Sequence, residues 1–149
     1  MSNMLDDPMV LRELIMDHYQ YPRNHGLKEG DASYLSRHMA SDSCIDDITV
    51  QSKIEDGKVD DIRFDGIACT ISTASTSMMS ELLKGKSVEE AKTIIDDYMN
   101  MINEKDYDPD MLGEAIAMKN VYKQANRIKC ATIGWKAMDE MISESEKKA

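Results

Sequence analysis

Residues 48–64, ITVQSKIEDGKVDDIRF, constrain the fold more than any other stretch of the chain. Ile48, Val50 and Ile54 alternate with Thr49, Gln51 and Lys53, a period of two that gives a strand with one buried and one wet face. Glu55-Asp56-Gly57 is a hairpin turn signal, because tight hairpin turns need positive φ, which Gly and Asp tolerate best. Ile62 and Phe64 then line one face of a returning strand. After Gly66 the period changes: the small-residue run CTISTASTSMMSELLKG reads as a helix that stops at Gly85. Strands come first and helices afterwards, which predicts an α+β fold, a small antiparallel sheet of about three strands with helices packed on it.

The flanking elements fit that frame. Asp7 can cap a first helix with Pro8 at its first position, and Val10, Leu11, Leu14, Ile15 and His18 recur at helical spacing until Pro22 ends it. A polar loop follows to about Asp31, and Ala32 to Met39 is expected to be an edge strand. Ser87 with Glu90 makes a capping box for a helix carrying Val88, Ala91, Ile94, Ile95, Tyr98 and Ile102. Asp108-Pro109 opens another helix to about Gln124. The last is predicted from about Ala131 to Ser143, with Trp135, Met138, Met141 and Ile142 on one face. No repeat and no long linker interrupts the chain, so residues 1–149 are read as one domain.

Charge excludes several classes of function. Eighteen Lys and Arg against 28 Asp and Glu give a net charge of −10, with the cations scattered, whereas nucleic acids and anionic membranes select basic patches. The N-terminus, MSNMLDDPMVLRELIMDHY, is acidic and periodic, unlike a signal or transit peptide, and no apolar run reaches membrane-spanning length. The cytoplasm is the expected location. Thirteen Met against eight aromatics suggest an adaptable core.

Three cysteines, far apart, make a poor disulfide framework. Cys44 and Asp46 are two apart where a strand begins, so extended backbone points both side chains the same way. Cys69 falls at a strand-to-helix junction. Cys130 follows Arg127 and Lys129 at the expected start of the last helix, where cations and a helix N-terminus both lower a thiol pKa. Three thiolates and a carboxylate satisfy a tetrahedral zinc site by number and softness. Composition alone favours the plainer alternative of three buried cysteines acting as small hydrophobes. Three thiolates, one carboxylate and Zn²⁺ sum to −2, which Arg127 and Lys129 would balance. His18, His25 and His38 have no spacing that links them to the cysteines. The serines and threonines from Ser72 to Ser77 lack the glycine-rich loop and lysine of a phosphate cradle and are expected to serve close helix packing.

HYQYPRNHG, CID, FDGIACTISTASTSMM and RIKCATIGWKAM occur in this order from His18 to Met138, and in that arrangement the chain resembles the IscU-like (NifU N-terminal) iron–sulfur cluster assembly family. Within the family it is similar to the SufU-type branch, with a long helical segment between Cys69 and Cys130, and Lys129 where the IscU branch has histidine. The resemblance implies a zinc-bound sulfur acceptor that takes persulfide sulfur from a cysteine desulfurase and passes it to downstream iron–sulfur assembly proteins, an enzyme at most in the sense of a sulfurtransferase. It implies Cys44, Asp46, Cys69 and Cys130 as metal ligands and Cys44 as sulfur acceptor. The alternative it leaves open is a scaffold on which a transient [2Fe–2S] cluster is built on the same ligands. The chain departs from the family at Ser41-Asp42, usually Asn-Pro, and at Ile45, usually Gly. A β-branched residue disfavours positive φ, so the loop bearing Cys44 is expected to be stiffer than in relatives.

Overall fold

A computed structural model describes residues 7–40 and 45–148. The expected sheet is present: β1 (Leu35–Ala40), β2 (Asp47–Glu55) and β3 (Lys58–Ile67) run antiparallel in the order β1-β2-β3. The β2–β3 hairpin turns on Asp56 and Gly57 at φ 53° and 72°, the pair of positive values that a two-residue type I′ turn demands. Pairing of Val50 with Phe64 and Ser52 with Ile62 puts Ile48, Val50, Ile62 and Phe64 on one buried face. β1 is the edge strand but starts at Leu35 rather than Ala32. The outer edge of β3 is covered, with Gly26 N–H donating to the Phe64 carbonyl and Val59 N–H to that of Lys86.

Four α-helices pack around this sheet: α1 (Pro8–Gln20), α2 (Thr70–Leu83), α3 (Val88–Ile102) and α4 (Ala125–Lys148). Asp7 caps α1 by accepting from Met9 N–H at 2.9 Å. Ser87 caps α3, accepting from Glu90 N–H at 3.1 Å while its hydroxyl donates to Glu90 Oε1. The central helix is α2, whose hydroxyl side chains Ser72, Ser75, Thr76, Ser77 and Ser80 are all buried. Their small size serves helix–helix contact: a Cβ added at Gly134 of α4 would lie 2.5 Å from Thr76 Oγ1, so glycine alone permits this crossing. Around the aromatic pair of the core, buried polar groups are paired, as burial requires. Ser75 Oγ accepts from Trp135 Nε1 at 3.0 Å and donates to the Ala131 carbonyl at 2.6 Å, and Tyr98 O–H donates to the same carbonyl at 2.7 Å. Tyr98 and Trp135 stack at 3.8 Å, 5° from parallel. Met138, Met141 and Ile142 complete the buried face of α4, and burying each contributes on the order of 1.5–3 kcal/mol.

Two expectations need correction. Residues 108–124 do not form one helix; they make 3₁₀ turns at Pro109–Met111, Gly113–Met118 and Val121–Lys123. Gly113 at φ 50° breaks any α-helix there, because the interior of a right-handed helix needs negative φ. The last helix starts at Ala125 rather than about Ala131. Gln124, extended at φ −127°, ψ 94°, is its true boundary, and Ala125, Arg127 and Lys129 are good helix formers. The mild electrostatic penalty of two cations in the first turns is outweighed by burying Cys130, Ala131 and Ile133 on the inner face.

Candidate metal centre

The centre is built where the sheet hands the chain to α2. Asp47 at the start of β2 pairs with Ile67 at the end of β3, and Ile48 pairs with Gly66. Gly66 makes this approach possible. It sits at φ 136°, and a Cβ there would lie 2.2 Å from the Asp47 carbonyl oxygen. The close contact sets Asp46, just before β2, beneath Cys69, just after β3.

Cys69 is the N-cap of α2, and its sulfur accepts from Ser72 N–H at 3.4 Å. The Cys69 N–H donates to Asp46 Oδ1 at 2.8 Å, and the Ser72 hydroxyl donates to Asp46 Oδ2. Asp46 is therefore a carboxylate only 2 % exposed, with both oxygens held by the first turn of one helix. Ser72 Oγ also lies 3.4 Å from Cys69 Sγ, so one buried hydroxyl touches both groups. Cys130 approaches from the other side. It is 3 % exposed, and its sulfur lies 3.8 Å from the Asn126 carbonyl one turn back.

Asp46, Cys69 and Cys130 each offer a ligand atom, and these atoms lie within 4.8 Å of one another. Tetrahedral zinc with thiolate and carboxylate ligands sets its donors about 3.6–3.8 Å apart. Cys69 Sγ and Asp46 Oδ2 are already at 4.0 Å, so the trio needs to close by about 1 Å at most. Two soft thiols and a hard carboxylate suit zinc or iron rather than calcium or magnesium. Neither described cysteine is in a disulfide.

The structure thus brings together Asp46, Cys69 and Cys130. Cys44 lies outside the described residues. Arg127 and Lys129 stand exposed on the first two turns of α4, and among the described residues neither forms an ion pair with the trio. The expectation that Cys130 lies at a helix start is corrected: it is on the second turn of α4, beyond the reach of terminal dipole effects. Cys69 is the thiol at a helix N-terminus. The three histidines are engaged elsewhere. His18 is buried between Ser77 Oγ at 2.7 Å and Glu114 Oε1 at 2.6 Å; His25 pairs with Asp65 and His38 with Asp47.

Ser72 is the site residue that the sequence reading missed. Its signal is the i, i+3 spacing from a helix N-cap, the offset at which a side chain meets the capping group. Ile45 and Ile67, 68 % and 70 % exposed, flank the centre as an apolar rim.

Residues 11–147 match the model of the NifU-like N-terminal domain. The zinc-dependent sulfurtransferase SufU of Bacillus subtilis is 38 % identical over 138 residues, covering 92 % of both chains. The iron–sulfur cluster assembly scaffold protein IscU of Streptococcus pyogenes is also 38 % identical, over 89 % of this chain and 82 % of its own. A crystal structure from Fervidobacterium islandicum, described as an iron–sulfur cluster assembly scaffold for the SUF system, superposes with a TM-score of 0.78 at 30 % identity, covering 93 % of this chain and 97 % of that one.

Proposed function

Because the chain belongs to the NifU-like N-terminal domain family, we propose that it is a zinc-bound sulfur acceptor of iron–sulfur cluster assembly, working in the cytoplasm with a cysteine desulfurase. The observation that carries this reading is the convergence of Asp46, Cys69 and Cys130. Cys44, two residues before Asp46, supplies the fourth ligand and the acceptor thiol. Zinc bound by these four residues would keep the thiols deprotonated and fix their relative positions.

The transfer itself needs no redox partner. The Cys44 thiolate attacks the terminal sulfur of the desulfurase persulfide. A new S–S bond forms on Cys44, the donor S–S bond breaks, and the donor cysteine leaves as a thiolate. Cys130 is too buried to meet a partner's persulfide, and Cys69 is held at its helix end, which leaves these two as anchors. Asp46 is the hardest donor of the set, and two hydrogen bonds hold it independently of a metal. It can hold the geometry of the centre while the acceptor thiol is engaged elsewhere. No helix of the described residues is long and apolar enough to cross a membrane. The acidic surface suits a desulfurase whose active site is rimmed by basic residues, with association slowed by salt.

Cysteine turnover by the desulfurase, measured with and without this protein, tests the reading. Wild type is expected to carry close to one zinc per chain and to stimulate turnover, and Cys44→Ala to abolish stimulation with the fold intact. Stimulation at the wild-type level by Cys44→Ala would move the acceptor role to Cys69 or Cys130. The scaffold reading draws on the 38 % identity to the S. pyogenes scaffold protein. Anaerobic incubation with iron, cysteine and desulfurase separates the two, because zinc outcompetes iron(II) at such a site. Retained zinc with at most a labile, sub-stoichiometric cluster supports transfer; a stable cluster with zinc displaced, read by Mössbauer spectroscopy, supports scaffolding.

A further inference from the structure

The chain has five arginines, and three of them are engaged. Arg23 pairs with Asp17, Arg37 with Glu140 and Glu144, and Arg63 donates to the carbonyls of His25 and Gly26. Among the described residues the other two, Arg12 and Arg127, form no ion pair, although acidic groups outnumber cations 28 to 18 in the chain. Both line one groove of about 350 Å³ between α1, the start of α2 and the stretch leading into α4. Leu11, Ile15, Ile71 and Val121 give it an apolar lining, and among the described residues no Asp or Glu lines it.

Its position ties it to the metal centre. Ile71 is two residues past Cys69, and Arg127 is one helical turn before Cys130, so a molecule lying in the groove sits against the helices that carry both thiols. The groove is at the lower end of the size range of cofactor pockets and takes a few side chains rather than a cofactor. Two unpaired guanidiniums, each able to hold a carboxylate through two parallel hydrogen bonds, select an acidic occupant. The apolar lining selects an aliphatic or aromatic side chain between the carboxylates. Such a segment is repelled by the net charge of this acidic surface and attracted by the groove's two guanidiniums.

We propose that this groove docks a short acidic segment, bearing an apolar side chain, of the desulfurase that donates sulfur. The inference rests on the function proposed above and adds where, and through what chemistry, the donor is gripped. The donor then meets this protein through two opposite patches: a basic rim facing the general acidic surface, and an acidic finger in the groove of Arg12 and Arg127. Arginine held in a partly desolvated contact is the kind of residue on which interface affinity concentrates.

Calorimetric titration of the full-length, zinc-loaded protein with the cysteine desulfurase of the same organism tests it, using Arg12→Glu, Arg12→Gln, Arg127→Glu and a control of equal charge change, Lys58→Glu, at the far hairpin. Arg12 lies on α1, which carries none of the proposed ligands, so its variants are expected to keep wild-type zinc and melting temperature. Arg12→Glu should raise Kd by about tenfold or more and Arg12→Gln by a smaller factor, with Lys58→Glu within about twofold of wild type. The differences should shrink as salt rises. Equal effects of Arg12→Glu and Lys58→Glu, or no effect while wild type binds, overturn the groove and leave the function standing. Failure of wild type to bind or stimulate overturns the function, and the donor as occupant with it. Deletion of residues 1–6 that removes the Arg12 effect makes the chain's own N-terminal segment the occupant. Sedimentation showing that Arg12→Glu splits a dimer makes it a second copy. Either result overturns the proposal.

Discussion

Cys69 and Cys130 face the same point from different kinds of structure. Cys69 ends a β-strand connection and caps a helix; its sulfur has a backbone donor, and its own N–H holds Asp46. Cys130 is inside a helix, nearly inaccessible, and is placed by the packing of α4 on α2 through Gly134 and Trp135. One thiol is positioned by local hydrogen bonds, the other by the whole core. Disturbing the first should alter the centre and spare the fold, whereas disturbing the support of the second should alter both.

The largest expected effect is loss of metal. Cys69→Ser and Cys130→Ser should each lose most of the zinc, measured by elemental analysis, and a double variant that keeps zinc would abolish the proposed site. In metal-free protein, peptide-level mass spectrometry after iodoacetamide should find Cys69 modified roughly tenfold or more faster than Cys130; equal rates would erase the contrast. Next comes Ser72→Ala, which removes the hydroxyl that touches both Asp46 and Cys69. Loss of such a supporting hydrogen bond costs about 10–100-fold in metal affinity, read by chelator competition, while the melting point of the metal-free protein should hardly move. Gly134→Ala acts on the other thiol: the Cβ collides with Thr76, costing about 1–3 kcal/mol of stability and lowering metal affinity with it. Unchanged denaturant unfolding would show that the α2–α4 crossing can relax.

The smallest effect concerns the outer face of α4. Partial burial, then the charges of Asp96 and Glu140, raise the pKa of Asp139. An acid with a raised folded-state pKa favours the folded state at low pH and loses that advantage as pH rises through the folded value. Asp139→Asn should therefore raise the melting temperature slightly at neutral pH and not near pH 3. A lower melting temperature at neutral pH would reverse the sign.

Legibility in the sequence followed the same division. The hairpin, the capped α1 and the Ser87 capping box were readable because each depends on residues within a few positions of one another. Asp46 and Cys69 could be grouped from element ends, which are also local. Neither the true start of α4 nor the depth of Cys130 was legible, since tertiary burial of Ala131, Ile133 and Trp135 decides both. Gly113 falls inside the helix expected from Asp108 to about Gln124, and only its positive φ shows the break. Ser72 was hidden among similar serines, and only the register of β2 on β3 singles it out. Arg12 and Arg127 could not be paired at all, because nothing in their spacing shows that α1 and α4 border one groove.

Trp135 is the chain's only tryptophan; it is fully buried, stacked on Tyr98, and hydrogen-bonded to the serine that holds the Ala131 carbonyl beside Cys130. A single indole in a dry, fixed setting emits one unmixed signal, and its hydrogen bond to Ser75 links that signal to the helix that carries a proposed ligand. The protein thus contains its own optical probe. Filling or emptying of the centre, and any shift of α4 when a donor docks, can be followed by intrinsic fluorescence in real time, without a dye and without altering a residue.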